Sequence, residues 1–184
     1  MNATNVLKEE HQAILRALRV LDTISAQVEA GKPLPVEDLD RIVEFIRVFA
    51  DRCHHGKEED LLFVEMERAG IPRQRGPLGV MLAEHQYGRD YVKGMAQALE
   101  AYKAGDTRAA AEVARNARGY TSLLAQHIDK EDNILYPMAE QCLAPAKDAE
   151  LMREFERVEQ ERIGPGRHEA FHALLDRLEK TYLS

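Results

Sequence analysis

The chain repeats one chemical layout at a fixed distance. Glu10-His11-Gln12 returns 74 residues later as Glu84-His85-Gln86. His54-His55-Gly56-Lys57-Glu58-Glu59-Asp60-Leu61-Leu62-Phe63 returns 73 residues on as His127-Ile128-Asp129-Lys130-Glu131-Asp132-Asn133-Ile134-Leu135-Tyr136. Each half thus offers a single histidine, then His-x-x-x-Glu, an acid and an apolar–aromatic pair. A repeat of this kind marks a duplicated structural unit. On a helix, residues i and i+4 share one face, so His54 points with Glu58 and His127 with Glu131. A fold that honours both copies must aim four such helices at one interior point.

The rest of the chain supplies those helices. Leu7, His11, Ile14, Leu15, Leu18 and Leu21 share a face within 4–30, and Gly31-Lys32-Pro33-Leu34-Pro35 ends that segment. A second helix is expected over 36–69, a third over 78–104, and a fourth, capped by Asp106 or Thr107, running to 143. Pro137 should bend or tighten the last of these. Two shorter helices, over 147–162 and 167–183, follow Pro145 and are separated by Gly164-Pro165-Gly166. Only 6% of residues are aromatic, none is Trp, and Gly and Pro number 11 and 7, which argues against a sandwich or barrel. The expected fold is all-α: an antiparallel up-and-down four-helix bundle over 1–143, because short loops make consecutive helices neighbours. An extension over 144–184 lies against the bundle or forms an oligomer contact, as in a homodimer.

His11, His54, Glu58, His85, His127 and Glu131 are the expected metal ligands. Imidazole nitrogen and carboxylate oxygen suit first-row metal ions, and a carboxylate can bridge two of them. Without a cation, burying four imidazoles and two carboxylates together costs several kcal/mol per unpaired charge. At about 100° per residue, Ile42, Val43, Ile46, Ala50, Cys53 and Leu61 define the apolar side of the second helix. His54 lies about a quarter turn from its centre, while His55 and Glu59 point away. Glu59, Asp60 and Asp132 are read as a solvated face, and Glu10 and Glu84 as surface charges, with an outer role towards an imidazole N–H as their alternative.

These residues carry a resemblance to the hemerythrin-like, HHE cation-binding family. His11, His54-x-x-x-Glu58, His85 and His127-x-x-x-Glu131 look like its ligand pattern, and the resemblance covers residues 4–143. It implies a non-haem centre of two Fe ions bridged by Glu58, Glu131 and an oxo or hydroxo group. Oxygen carriers of the family have a second histidine one turn after the one in the third helix, where this chain has Arg89. They also place the carboxylate five residues, not four, after the last histidine. The resemblance is therefore to the symmetric branch associated with O2, peroxide or NO responses and with iron handling. It implies a protein that binds or reacts with a small diatomic or peroxide ligand. The alternative is a non-catalytic sensor or iron-handling module that signals through its C-terminal helices.

Other residues complete the reading. Arg89 could hydrogen-bond a bound anion or a bridging carboxylate, or extend to solvent. Gly88 beside it leaves room for a small ligand or clears helix packing. Tyr120, two turns before His127, is expected as a hydrogen-bonded core tyrosine, with contact to a metal-bound ligand as the alternative. His168-x-x-x-His172 has ligand spacing but no repeat partner, so it reads as a packed surface helix. Cys53 reads as a buried, inert thiol, and two cysteines make no disulfide scaffold. With 25 basic against 32 acidic residues the formal net charge is −7, which disfavours nucleic acid as a partner. No run of 18 apolar residues and no signal-like start is present, so a cytoplasmic protein without membrane partners is expected.

Overall fold

A computed structural model describes residues 2–184 and is helical throughout, with no strand among the described residues. Helix α1 spans Ala3–Glu29. Helix α2 runs unbroken from Val36–Phe45 through Ile46–His55, Glu58–Leu62 and Phe63–Arg68. Helix α3 is Pro77–Lys103, and α4 joins Ala109–Lys130, Glu131–Leu135 and Tyr136–Cys142. Helices α5 (Pro145–Arg162) and α6 (Arg167–Tyr182) form the extension. The Asn2 side chain caps α1 by accepting the Asn5 N–H at 2.9 Å. Helix α1 stops where Gly31 takes φ 88° and the Lys32 N–H reaches back to the Gln27 carbonyl at 3.0 Å. Gly105 ends α3 in the same way, with the Asp106 N–H on the Ala101 carbonyl.

Two stretches of α2 and one of α4 are π-helical: Ile46–His55, Glu58–Leu62 and Glu131–Leu135. The repeat therefore extends to the backbone, since Glu58 and Glu131 each open a five-residue widened turn. Such turns are uncommon and concentrate at functional sites. Pro137 was expected to bend or tighten α4, yet the distortion before it is a widening. Helix α2 widens at the matching place without a proline, so Pro137 is not its cause.

Two apolar clusters fill the molecule. The larger takes Leu18, Leu21 and Ile24 from α1, Ile42, Phe45 and Phe49 from α2, Met95 and Leu99 from α3, and Val113, Ala117 and Leu124 from α4. The smaller gathers Leu7, Leu62, Phe63, Met66, Leu78, Met81, Leu135 and Tyr136. In α1, α2, α3 and α4 alike, the expected ligand residues fall between these clusters along the helix. The polar centre is thus closed off by packed side chains on both sides. Helices α5 and α6 pack on α1 and α2. Leu151 and Phe155 join the smaller cluster, while Phe171, Leu175 and Leu178 join the larger.

Candidate metal centre

The structure brings His11, His54, Glu58, His85, His127 and Glu131 to one buried point. His11 comes from α1, His54 and Glu58 from α2, His85 from α3, and His127 and Glu131 from α4. Glu131 lies 3.2 Å from His11 Nε2 and 3.1 Å from His127 Nε2. Glu58 lies 3.4 Å from His85 Nε2 and 3.8 Å from His54 Nε2. Two donor groups emerge: His11, His54, Glu58 and Glu131 form one, and His55, Glu58, His85 and His127 form the other. Within each group the donor atoms lie within 4.8 Å of one another, and Glu58 belongs to both.

His55 corrects the expectation that it faces away. It is 3% exposed and stacks on His85 with ring centroids 3.9 Å apart. The cause is the π-helical run Ile46–His55, in which each residue advances by less than the 100° of an α-helix. Ten residues of accumulated lag swing His55 inward, so that His54 and His55 straddle the buried face.

Glu59 and Asp132, read as solvated, are corrected too, whereas Glu10 and Glu84 take the outer role that was their alternative. His54 Nδ1 donates to Glu10 at 2.8 Å and His127 Nδ1 to Glu84 at 2.9 Å. His85 Nδ1 donates to Glu59 at 2.7 Å and His11 Nδ1 to Asp132 at 2.8 Å. An ionised carboxylate only accepts, so each Nδ1 carries the proton and each Nε2 turns a lone pair towards the centre. Outer carboxylates of this kind fix the tautomer and aim of metal-ligating histidines. Only Asp60 stays on the surface as expected, paired with Arg162 at 2.7 Å. Lysines complete the motif: Lys57 pairs with Glu10, and Lys130 with Glu84. Tyr136, which sequence reasoning passed over, donates its hydroxyl to Glu58 Oε1 at 2.6 Å.

The donor set fits a cation on two structural counts. Glu58 Oε2 and both Glu131 oxygens are buried without a hydrogen-bond partner. Moreover, with both Nδ1 atoms donating outward, His85 Nε2 and His127 Nε2 face each other at 3.0 Å, a contact that needs a metal ion or an added proton between them. The protonation balance agrees. Burial disfavours a charge on His11, yet Asp132 and Glu131 reverse this and hold it up at about 10. His85 rises well above its ordinary value for similar reasons, against burial and through Glu131, Glu58 and Glu59. Burial, with His85, His54 and His127 alongside, drives His55 well below the usual histidine range. In the absence of an ion, protons on the imidazoles compensate the two glutamates.

The remaining sequence expectations divide. Arg89, a third exposed, bridges Asp51 at 2.8 Å and Glu59 at 2.7 Å and so touches the donor groups only through Glu59, the acid behind His85. Tyr120 is buried as expected, but its hydroxyl has no hydrogen-bond partner. At Gly88 an added methyl would meet Leu124 at 3.4 Å and Tyr120 at 3.6 Å, so packing alone does not demand glycine there. His168 and His172 lie together, ring centroids 4.7 Å apart, with His168 on Phe49 and outside both donor groups. Cys53 is buried and unbridged as expected, its thiol pushed up to about 12 by burial.

No helix among the described residues is long and apolar enough to cross a membrane. Over 178 residues the chain is similar, at 24% identity, to uncharacterized proteins of Mycobacterium tuberculosis and Mycobacterium bovis. The match covers 97% of this chain and 68% of each relative. No solved structure matches it. Residues 2–139 match the Hemerythrin HHE cation binding domain, the span that carries both copies of the histidine–glutamate layout, and the chain therefore belongs to that family.

Proposed function

We propose that the protein is a non-haem di-iron protein that binds or reacts with a small oxidant, O2, peroxide or NO. In this reading α1–α4 form an antiparallel up-and-down bundle around the centre. The observation that carries it is the convergence of five imidazoles and two glutamates whose inward oxygens lack partners. His11, His54, Glu58 and Glu131 would hold one ion, and His55, His85 and His127 with Glu58 the other. Two iron ions so held would supply reversible one-electron chemistry and open positions for a small ligand. The chain's own residues set the conditions. Glu10, Glu59, Glu84 and Asp132 hold the imidazoles in one tautomer, Tyr136 fixes Glu58, and the apolar clusters on either side exclude water. Two free cysteines accord with a reducing, cytoplasmic setting.

Metal analysis of protein purified without chelator tests this: about two iron ions per chain are expected. Glu58→Ala with Glu131→Ala should lose them. Retention of both ions in that variant, or a metal-free wild type, would refute the reading. A sensing role is the second reading, favoured by a specific contact. Lys57, which holds Glu10 behind His54, lies 3.5 Å from Glu159 and 5.8 Å from the Phe155 ring centre, both on α5. Consumption of peroxide or NO by the reduced protein supports the first reading. Ligand binding without turnover, with altered protease sensitivity of α5 and α6, supports the second.

A further inference from the structure

A cavity of about 100 Å³ reaches inward between α2, α3 and α4. Ile46, His55, Gly88, Val92 and Tyr120 line its deeper part, and Arg47, Asp51, Arg89 and Lys93 surround its mouth. Two features set it apart from a packing defect. First, its depth holds two orphaned polar atoms, Tyr120 Oη and His55 Nδ1, each on a side chain more than nine-tenths buried. His55 Nδ1 lies 3.5 Å from Asp51, too far for a good hydrogen bond, whereas the other four histidines of the centre each have a close acid. Second, the mouth is electropositive: three cations face one carboxylate, and even with Glu59 counted against Arg89 a cation remains in excess. Among the described residues neither Arg47 nor Lys93 has a carboxylate within 4.0 Å.

We propose that this cavity binds a small monovalent anion, drawn in past Arg47, Arg89 and Lys93 and held by the Tyr120 hydroxyl beside His55. A buried hydroxyl without a partner is costly, so a site that keeps one gains when an acceptor arrives. Burial and the nearby Asp51 raise the Tyr120 hydroxyl above its ordinary range, which keeps it a donor. The volume admits a molecule of three or four heavy atoms, a water taking about 30 Å³ in the liquid. Gly88 keeps the wall open where a larger side chain would project. The mouth cations raise the local anion concentration. The proposal rests on the metal-centre reading only through His55, which joins the cavity wall to the donor groups. On the far side of the centre, Lys57 and α5 cover His54.

The test is calorimetric titration of the full-length protein, as purified and with its metal content measured, with sodium nitrite at low and high ionic strength. Saturable binding is expected, weakened about tenfold or more by Tyr120→Phe. Because that variant removes an unpartnered oxygen, its melting temperature should be unchanged or raised. Arg47→Glu with Lys93→Glu, both at exposed positions, should weaken binding at low salt, and the difference should shrink as salt rises. Nitrite binding that is equal in the wild type and both variants overturns the proposal, since the anion then sits elsewhere. Metal-loaded protein that binds no nitrite overturns it too, and leaves the metal centre standing. Metal-free protein that binds nitrite in a Tyr120-dependent way supports the cavity while removing the di-iron reading.

Discussion

Lys57 and Lys130 occupy equivalent places in the two halves of the repeat, and their replacement by Met should have unequal cost. Each ammonium pairs with the glutamate that orients a histidine: Lys57 with Glu10 behind His54, Lys130 with Glu84 behind His127. The difference lies in the cover. The Lys57 side chain is 0% exposed beneath α5, whereas that of Lys130 is 34% exposed. Removing one partner of a buried pair strands a charge and costs about 3–5 kcal/mol. Removing one partner of an exposed pair costs about 0–1 kcal/mol. Glu10 keeps its bond from His54 and Glu159 loses a contact, so the lower part of the buried range is the fair expectation for Lys57→Met. For a chain of this length about 3 kcal/mol lowers the melting temperature by about 6–12 °C. The assay is urea unfolding with chelator present, so that ion loss does not mix with unfolding, and it is repeated by thermal melting. Losses below about 1 kcal/mol in both variants, on the scale of exposed pairs, would refute the claim that α5 turns a surface ion pair into a buried one.

Three further outcomes follow from the centre and its supports. In metal-free protein the raised His11 contributes stability that is complete below about 6.5 and lost as pH rises through about 10; metal uptake at pH 8 should displace such protons, and a lightly buffered titration that shows no acidification counts against the assignment. Tyr136→Phe deletes the donor to Glu58 Oε1 and should weaken metal affinity about 10–100-fold in chelator competition; unchanged affinity would leave Tyr136 a packing residue. Leu175→Ala on α6, where the side chain is fully buried against the larger cluster, should cost about 2–5 kcal/mol in urea unfolding. A cost near zero would mean that the extension is not part of the core.

Much of the centre was legible because its residues obey simple periodicity. The i,i+4 spacing of His127 and Glu131 survives into a 3.1 Å approach, and the matched offsets name one donor from each of four helices. His55 was not legible because the α-helical angle does not hold across Ile46–His55, which is π-helical. The repeat also favoured His54, because it aligns His54 with His127 and leaves His55 opposite Ile128. The outer acids were only half visible, Glu10 and Glu84 as an alternative and Glu59 and Asp132 not at all, for another reason. Glu10, Glu59, Glu84 and Asp132 stand beside ligands in sequence, but each serves a histidine on a different helix, and no single-helix projection shows that. The repeat itself carried the missing signal, since Glu10 and Lys57 recur as Glu84 and Lys130, and Glu59 recurs as Asp132. Arg89 pairs with Asp51 and Glu59 between α2 and α3, partners on another helix that a single-helix projection does not show.

The duplication also explains why the two halves are not alike. An exact repeat would give two equivalent ion sites with equivalent shells. Two departures break the symmetry. His55 has no counterpart, which adds an imidazole and a cavity on one side. Helix α5 has none either, and it buries Lys57 and closes the other side with Phe155 and Glu159. On the proposed di-iron reading a small ligand would meet the His55, His85 and His127 group first, while the His11 and His54 group sits under a covered ion pair. On the same reading, inequivalent ions would favour asymmetric chemistry, one exchanging ligands and the other serving as its electronic partner. A symmetric pair of absorption or magnetic signatures in the iron-loaded protein would contradict that division of labour.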